Sequence, residues 1–315
     1  MFEKVSLILP YVAASIVYHS GKTGGECMST SQLNQGLAKR LEAAASAIEP
    51  LSRRYGPLAP DVGTAWNTVL AGLLAHRSIR AYRPDRLPEG ALEAIIAAAQ
   101  SASSSSNLQT WSVVVVEDEA RKARLSQFAG GQAHIRQAPL FLVFLSDLSR
   151  AQRLAHEAGR PLEGLRFLET FLVSVIDAAL AAQNAVVALE SLGLGAVYIG
   201  AVRNKPNEVA RELGLPPHVA PLFGLCIGYP DPAAATAVKP RLPQQVVVHR
   251  ETYQLRSRDE DIAAYDEVLR QFQISQRLPP SGWIEALLKR LGSIQALNGR
   301  DQLQAQLRAF GYALE

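Results

Sequence analysis

Cysteine is scarce: the 315 residues hold two, Cys27 and Cys226, far apart in the chain. That argues against a disulfide-stapled scaffold and a cysteine-rich zinc site, and it fits a reducing cytoplasm. A charge excess of either sign is also lacking. The 32 lysines and arginines against 29 acids leave +3, too weak and too dispersed to call for nucleic acid. None of the six histidines stands at metal-ligand spacing from another, so no metal site is expected. HExxH, P-loop and G-x-S-x-G signatures are absent.

Long hydrophobic runs are missing near the N-terminus. Residues 5–18 are apolar but broken by Pro10, and they fall short of the ~20 residues a bilayer span needs. The polar stretch 19–26 has no clear small-x-small cleavage pattern, and Met28 opens a different-looking sequence. Residues 1–27 read as an upstream translation artefact or poorly ordered extension in preference to a secretory signal. No membrane partner is expected.

What is present is ample for a core, with 48% hydrophobic residues. Helical spacing runs over 32–48 until Pro50, and the proline- and glycine-rich stretch 50–63 reads as a linker. Residues 66–74 resume a helix, and another starts at Pro88 and continues to about Ala102. The serine-rich stretch 101–106 then reads as a loop. Residues 111–117, with four consecutive valines, and 140–146 read as strands. Residues 165–192 form the strongest helix, apolar on nearly every side, which suits a core or a subunit interface. A strand over 196–200, a helix over 206–213 and a strand over 222–228 follow. Helical patterns recur at 262–272, 283–291 and 301–310. Strands mixed irregularly among helices of unequal length predict an α+β fold and argue against a doubly wound sheet.

Gly193-Leu194-Gly195 could open a dinucleotide fingerprint, but Tyr198 occupies the third glycine position and a helix precedes it. Gly193 reads instead as a helix end and Gly195 as the turn into a strand. The most suggestive cluster is His76-Arg77-Ser78-Ile79-Arg80, with a distant basic pair in Lys239-Pro240-Arg241. Forked guanidinium donors and an ammonium suit a phosphate. On its own, the cluster is equally compatible with a solvated helix end.

The ordered set of segments resembles the flavin-dependent nitroreductases, in the branch of oxygen-insensitive NADPH nitroreductases and NADPH:FMN oxidoreductases. The matching blocks include His76-Arg77-Ser78-Ile79-Arg80, Ser103-Ser104-Ser105-Ser106, Gly130-Gly131-Gln132 and Ala182-Gln183-Asn184. They continue through Glu190-Ser191-Leu192-Gly193-Leu194-Gly195, Tyr198-Ile199-Gly200, Pro221-Leu222-Phe223-Gly224-Leu225-Cys226 and Lys239-Pro240-Arg241-Leu242-Pro243. Order and spacing match from about residue 67 to 275.

The resemblance implies a mostly antiparallel sheet flanked by helices, in a homodimer with FMN at the interface. It implies that His76, Arg77, Ser78, Lys239 and Arg241 hold the ribityl phosphate and that Arg80 lies nearer the pyrimidine end of the flavin. Ser104 and Ser106 would be given to the other subunit's FMN. Gln132 would bond the polar edge of the ring, and Tyr198, Ile199 and Gly200 would supply backbone facing it. Residues 67–255 would form the FMN-binding core, 28–66 a helical N-terminal extension with its linker, and 256–315 a C-terminal helical excursion. The implied activity is ping-pong two-electron reduction of small flat acceptors (nitroaromatics, quinones or flavins) by NADPH, in the cytoplasm. A flavin reductase feeding a partner monooxygenase and a non-catalytic flavin-binding module are the alternatives. The family's mobile basic loop after the region matching residues 271–275 is replaced here by 276–281, with one arginine and two prolines. That leaves the choice between NADPH and NADH open. Ala201 stands where the family has a second glycine.

Overall fold

The computed structural model describes residues 30–234, 236–254 and 259–315, with side chains at residue 42 and from 44 onward. The expectation for residues 1–27 lies outside them. Helix α1 covers Thr30–Tyr55, α2 Thr68–Ala75 and α3 Ala91–Gln100. Strand β1 (Trp111–Val116) is followed by α4 (Glu119–Phe128), α5 (Ala133–Gln137), β2 (Leu140–Asp147) and α6 (Ser149–Glu157). Helix α7 (Leu168–Ser191) leads into β3 (Gly195–Ile199), α8 (Pro206–Leu213) and β4 (Val219–Gly228). The short α9 (Gln244–Val247), α10 (Asp259–Ser275), α11 (Gly282–Leu291) and α12 (Leu303–Ala309) complete the chain.

The four strands form one antiparallel sheet in the order β1-β2-β4-β3, which makes the fold α+β. Every residue of β2 is buried, so the sheet is covered on both faces. Phe141, Val143 and Leu145 enter the core that includes Leu125 of α4, Ile135 of α5 and Val209 of α8. Leu140, Leu142 and Phe144 enter the opposite core, built with Ile95 of α3 and Ala181, Ala185 and Leu189 of α7. This division follows from the strand period of two. Gly224 of β4 is required by the first core: a Cβ there would lie 2.3 Å from the Phe141 ring. Gly193, at φ 76°, ends the turn after α7 as its position suggests.

Some boundaries depart from expectation. Helix α1 does not stop at Pro50 but runs through it to Tyr55. Ala47, Leu51 and Arg54, spaced by four and three residues, are all buried. That stripe carries the helix past a proline, which elsewhere costs about 3 kcal/mol. Helix α3 begins at Ala91, three residues after Pro88, because Gly90 in the left-handed region starts it.

The C-terminal segment returns to the sheet. Tyr312, 1% exposed, donates its hydroxyl hydrogen to the His218 carbonyl at 2.9 Å and packs edge-on against Phe171 of α7. Glu315 closes the end through Arg166 at 2.6 Å.

Candidate functional site

The segment after α2 is extended and fastened to the sheet. Ser78 bridges Ala196 of β3 in parallel, and the Ile79 amide donates to the Ala196 carbonyl at 2.9 Å. Ile79 points inward at 2% exposure, against Gly195, where a Cβ would come within 2.4 Å of it. Its neighbours Arg77, Ser78 and Arg80 are left exposed. Tyr82 bridges Pro230 just beyond β4, so the chain leaving β4 runs beside this segment. The stretch that follows buries Val238 and Pro240 and exposes Lys239 and Arg241.

The two basic segments thereby meet. His76, Arg77, Ser78, Arg80, Lys239 and Arg241 line one cleft of about 470 Å³. His76 donates Nδ1–H to Glu190 Oε1 at 2.7 Å, which fixes that tautomer and leaves Nε2 for another partner. Among the described residues, no carboxylate pairs with Arg77, Arg80, Lys239 or Arg241. Burial, then the Arg80 and Arg241 guanidiniums, push the Lys239 ammonium below its usual range. Four cations without a paired carboxylate among the described residues, gathered in one cleft, make a site for an anion with several acceptor oxygens.

Gln132 stands at the N-cap of α5 after Gly130 and Gly131, both with positive φ. Two residues on, burial and then Arg80 hold the His134 imidazole toward its neutral form, and its Nε2 is buried without a partner. Arg80 is thus within electrostatic reach of both Lys239 and His134. Tyr198, Ile199 and Gly200 end β3, the strand to which Ser78 is fastened. The Tyr198 ring is partly exposed and meets Phe223 edge-on at 5.5 Å. Gly200 faces the Arg203 guanidinium, with room for a Cβ 3.4 Å from Nη2. Arg203 donates to the Leu222 carbonyl, and burial followed by Arg290 lowers its pKa.

Ser104 and Ser106 do not join this cluster within one chain. Ser104 lines a second cleft, with Trp111, Gln109 and Arg150, that shares no lining residue with the first. Its hydroxyl donates to Asp177 Oδ2 at 2.7 Å and accepts from the Gln109 amide at 2.8 Å. Ser106 lies on the same turn with φ 48°.

Three participants escaped sequence reasoning. Asp177 carries a signal, being the lone charged residue between Glu169 and Glu190. Glu190 stands in a matched block without an assigned partner. Arg54, which also lines the cation cleft, has no sequence signal.

Comparison with known proteins places this architecture. The nitroreductase family model matches residues 73–229, and that of the family's C-terminal domain matches 239–315. The FMN reductase (NADPH) of Bacillus subtilis (strain 168) is 44% identical over 194 residues, which is 61% of this chain and 77% of that protein. The chain belongs to the nitroreductase family. The oxygen-insensitive NADPH nitroreductase of Salmonella typhimurium is 44% identical over 204 residues, 65% of this nitroreductase and 82% of that one. The solved NADPH:FMN oxidoreductase from Vibrio harveyi, complexed with NAD+, superposes with a TM-score of 0.70 at 37% identity. It covers 79% of this chain and 100% of its own. Helix α1 lies outside the matched family region.

Proposed function

We propose that this nitroreductase is a cytoplasmic, homodimeric, FMN-dependent NAD(P)H oxidoreductase that reduces nitroaromatics, quinones or flavins by a ping-pong two-electron route. The observation that carries the reading is the meeting of His76, Arg77, Ser78 and Arg80 with Lys239 and Arg241 in one cationic cleft beside β3, where among the described residues no carboxylate pairs with Arg77, Arg80, Lys239 or Arg241. The residues present fit FMN: a cluster for its phosphate, a buried imidazole nitrogen of His134 without a partner, and a strand end with a glycine. The relatives named FMN reductase (NADPH) and oxygen-insensitive NADPH nitroreductase support the same cofactor and reductant.

His76, Arg77, Ser78, Lys239 and Arg241 hold the phosphate. Arg80 would serve the pyrimidine end, where a fixed cation would stabilise negative charge as it builds. Gln132 serves the polar edge of the ring, and Tyr198, Ile199 and Gly200 offer it backbone. When bound there, FMN would supply the two-electron redox chemistry between NAD(P)H and the acceptor. The protein contributes position and electrostatics and needs no nucleophile. Residues 67–255 form the cofactor-binding core and 256–315 the helical excursion. Leu168, Leu172, Ile176 and Leu180 make an exposed stripe along α7, which we assign to the contact with a second copy. Ser104 and Ser106 serve the cofactor of that copy.

The test is the double variant Lys239→Ala/Arg241→Ala. Two charge-assisted contacts of about 1.5–3 kcal/mol each predict a fall in FMN affinity of a hundredfold or more. Flavin fluorescence titration measures it, and circular dichroism checks that the fold persists. Unchanged affinity in folded protein removes these residues from the phosphate site.

A further inference from the structure

Arg54 is 5% exposed, yet among the described residues no carboxylate pairs with it. Its guanidinium is satisfied by main-chain oxygens on two distant segments. Nη2 donates to the Leu74 and His76 carbonyls, each at 2.7 Å. Nη1 donates to the Lys239 carbonyl, also at 2.7 Å. The Arg54 carbonyl in turn accepts from the Arg241 amide at 3.0 Å. One residue therefore holds both halves of the cation cleft by their backbones. Burial and then Arg241 lower its pKa, with Tyr55 and Glu190 acting the other way.

The two basic segments repel one another electrostatically. Their contacts with the sheet place them side by side, but Arg54 is the group that bonds to both. A planar fork with several donors suits this, because it reaches carbonyls in different directions at once. Helix α1 delivers it: Ala47 and Leu51, on the same stripe, are buried, and α1 precedes the region that defines the family.

We propose that Arg54 is a positioning residue that fastens the 76–80 and 239–241 segments into one preformed phosphate cradle, so that the N-terminal helix sets how tightly the cofactor's phosphate is held. The inference rests on the FMN reading above and adds to it a residue outside the family's matched region. Arg54 acts through the cations it aligns. Its loss weakens recognition of the phosphate and leaves recognition of the flavin ring alone.

The experiment compares FMN with riboflavin, which carries the same ring without the phosphate, on flavin-free full-length protein. Arg54→Met keeps the buried stem and removes the donors. Arg54→Lys keeps the charge but offers a single point that cannot span both segments. In each variant FMN affinity falls about tenfold or more while riboflavin affinity moves less than about twofold. If Arg54→Met does not fold, Arg54→Lys carries the test. A wild-type ratio of FMN to riboflavin affinity in a folded variant overturns the role of Arg54. A wild-type protein that fails to prefer FMN over riboflavin contradicts the phosphate reading itself, a different result on a different sample.

Discussion

Asp177 is a carboxylate 1% exposed on α7, and its oxygens organise the serine loop. They accept from Ser104 Oγ at 2.7 Å, the Ser105 amide at 3.1 Å, and Thr110 through its amide at 3.3 Å and hydroxyl at 3.2 Å. The loop needs such an anchor because Ser106, Asn107 and Gln109 all adopt positive φ without being glycine. Asp177→Ala leaves two amides and two hydroxyls without their acceptor. Each costs about 1–3 kcal/mol, so the variant loses about 3 kcal/mol or more of stability in chemical denaturation. A loss below about 0.5 kcal/mol, the range of neutral surface changes, contradicts the anchoring role. Arg54 and Asp177 share a logic: each is a buried charge that fixes backbone near functional side chains it does not itself replace.

At the scale of elements, α7 presents two different faces. Ala178, Ala181, Ala182 and Ala185 are fully buried, small enough for α3 and the sheet to approach closely. On the opposite side Leu168, Leu172, Ile176 and Leu180 recur every four residues and stay exposed. A glutamate at the centre of that stripe, Ile176→Glu, puts a charge where two copies are assigned to meet. Light scattering after size exclusion should then give monomer in place of dimer. A dimer of unchanged stability moves the interface elsewhere. The helix's apolar circumference is plain in the sequence, and so is its use as core or interface. Which residues take which face depends on the sheet, which the sequence does not display. The end of α1 was hidden for a related reason: Pro50 is a strong local stop, and only burial of Leu51 and Arg54 overrides it.

At the scale of the molecule, the architecture was legible through the ordered blocks more than through periodicity. Hydrophobic runs marked β1, β2, β3 and β4, yet the order β1-β2-β4-β3 is a tertiary fact. That order is what joins the cations. Ser78 pairs with β3 and Tyr82 pairs with Pro230 after β4, so the turn leaving β4 brings Lys239 and Arg241 back to residues 76–80. Sequence separation concealed the meeting, although each half was chemically conspicuous. The roles of Ser104 and Ser106 were legible only as a resemblance, because in one chain Ser104 lines another cleft and Ser106 lies on the same turn. Arg54 was illegible because its partners are carbonyls, which carry no sequence signal.

The central claim is that this cleft holds FMN and that NAD(P)H reduces it. Anaerobic titration of the purified, FMN-loaded protein with NADPH, followed by absorbance in the flavin band, tests this directly. The account predicts yellow protein that bleaches on addition of about one equivalent of NADPH per subunit and regains its colour when a quinone or nitroaromatic is added. Protein that binds no FMN, or yellow protein whose absorbance neither NADPH nor NADH changes, contradicts it.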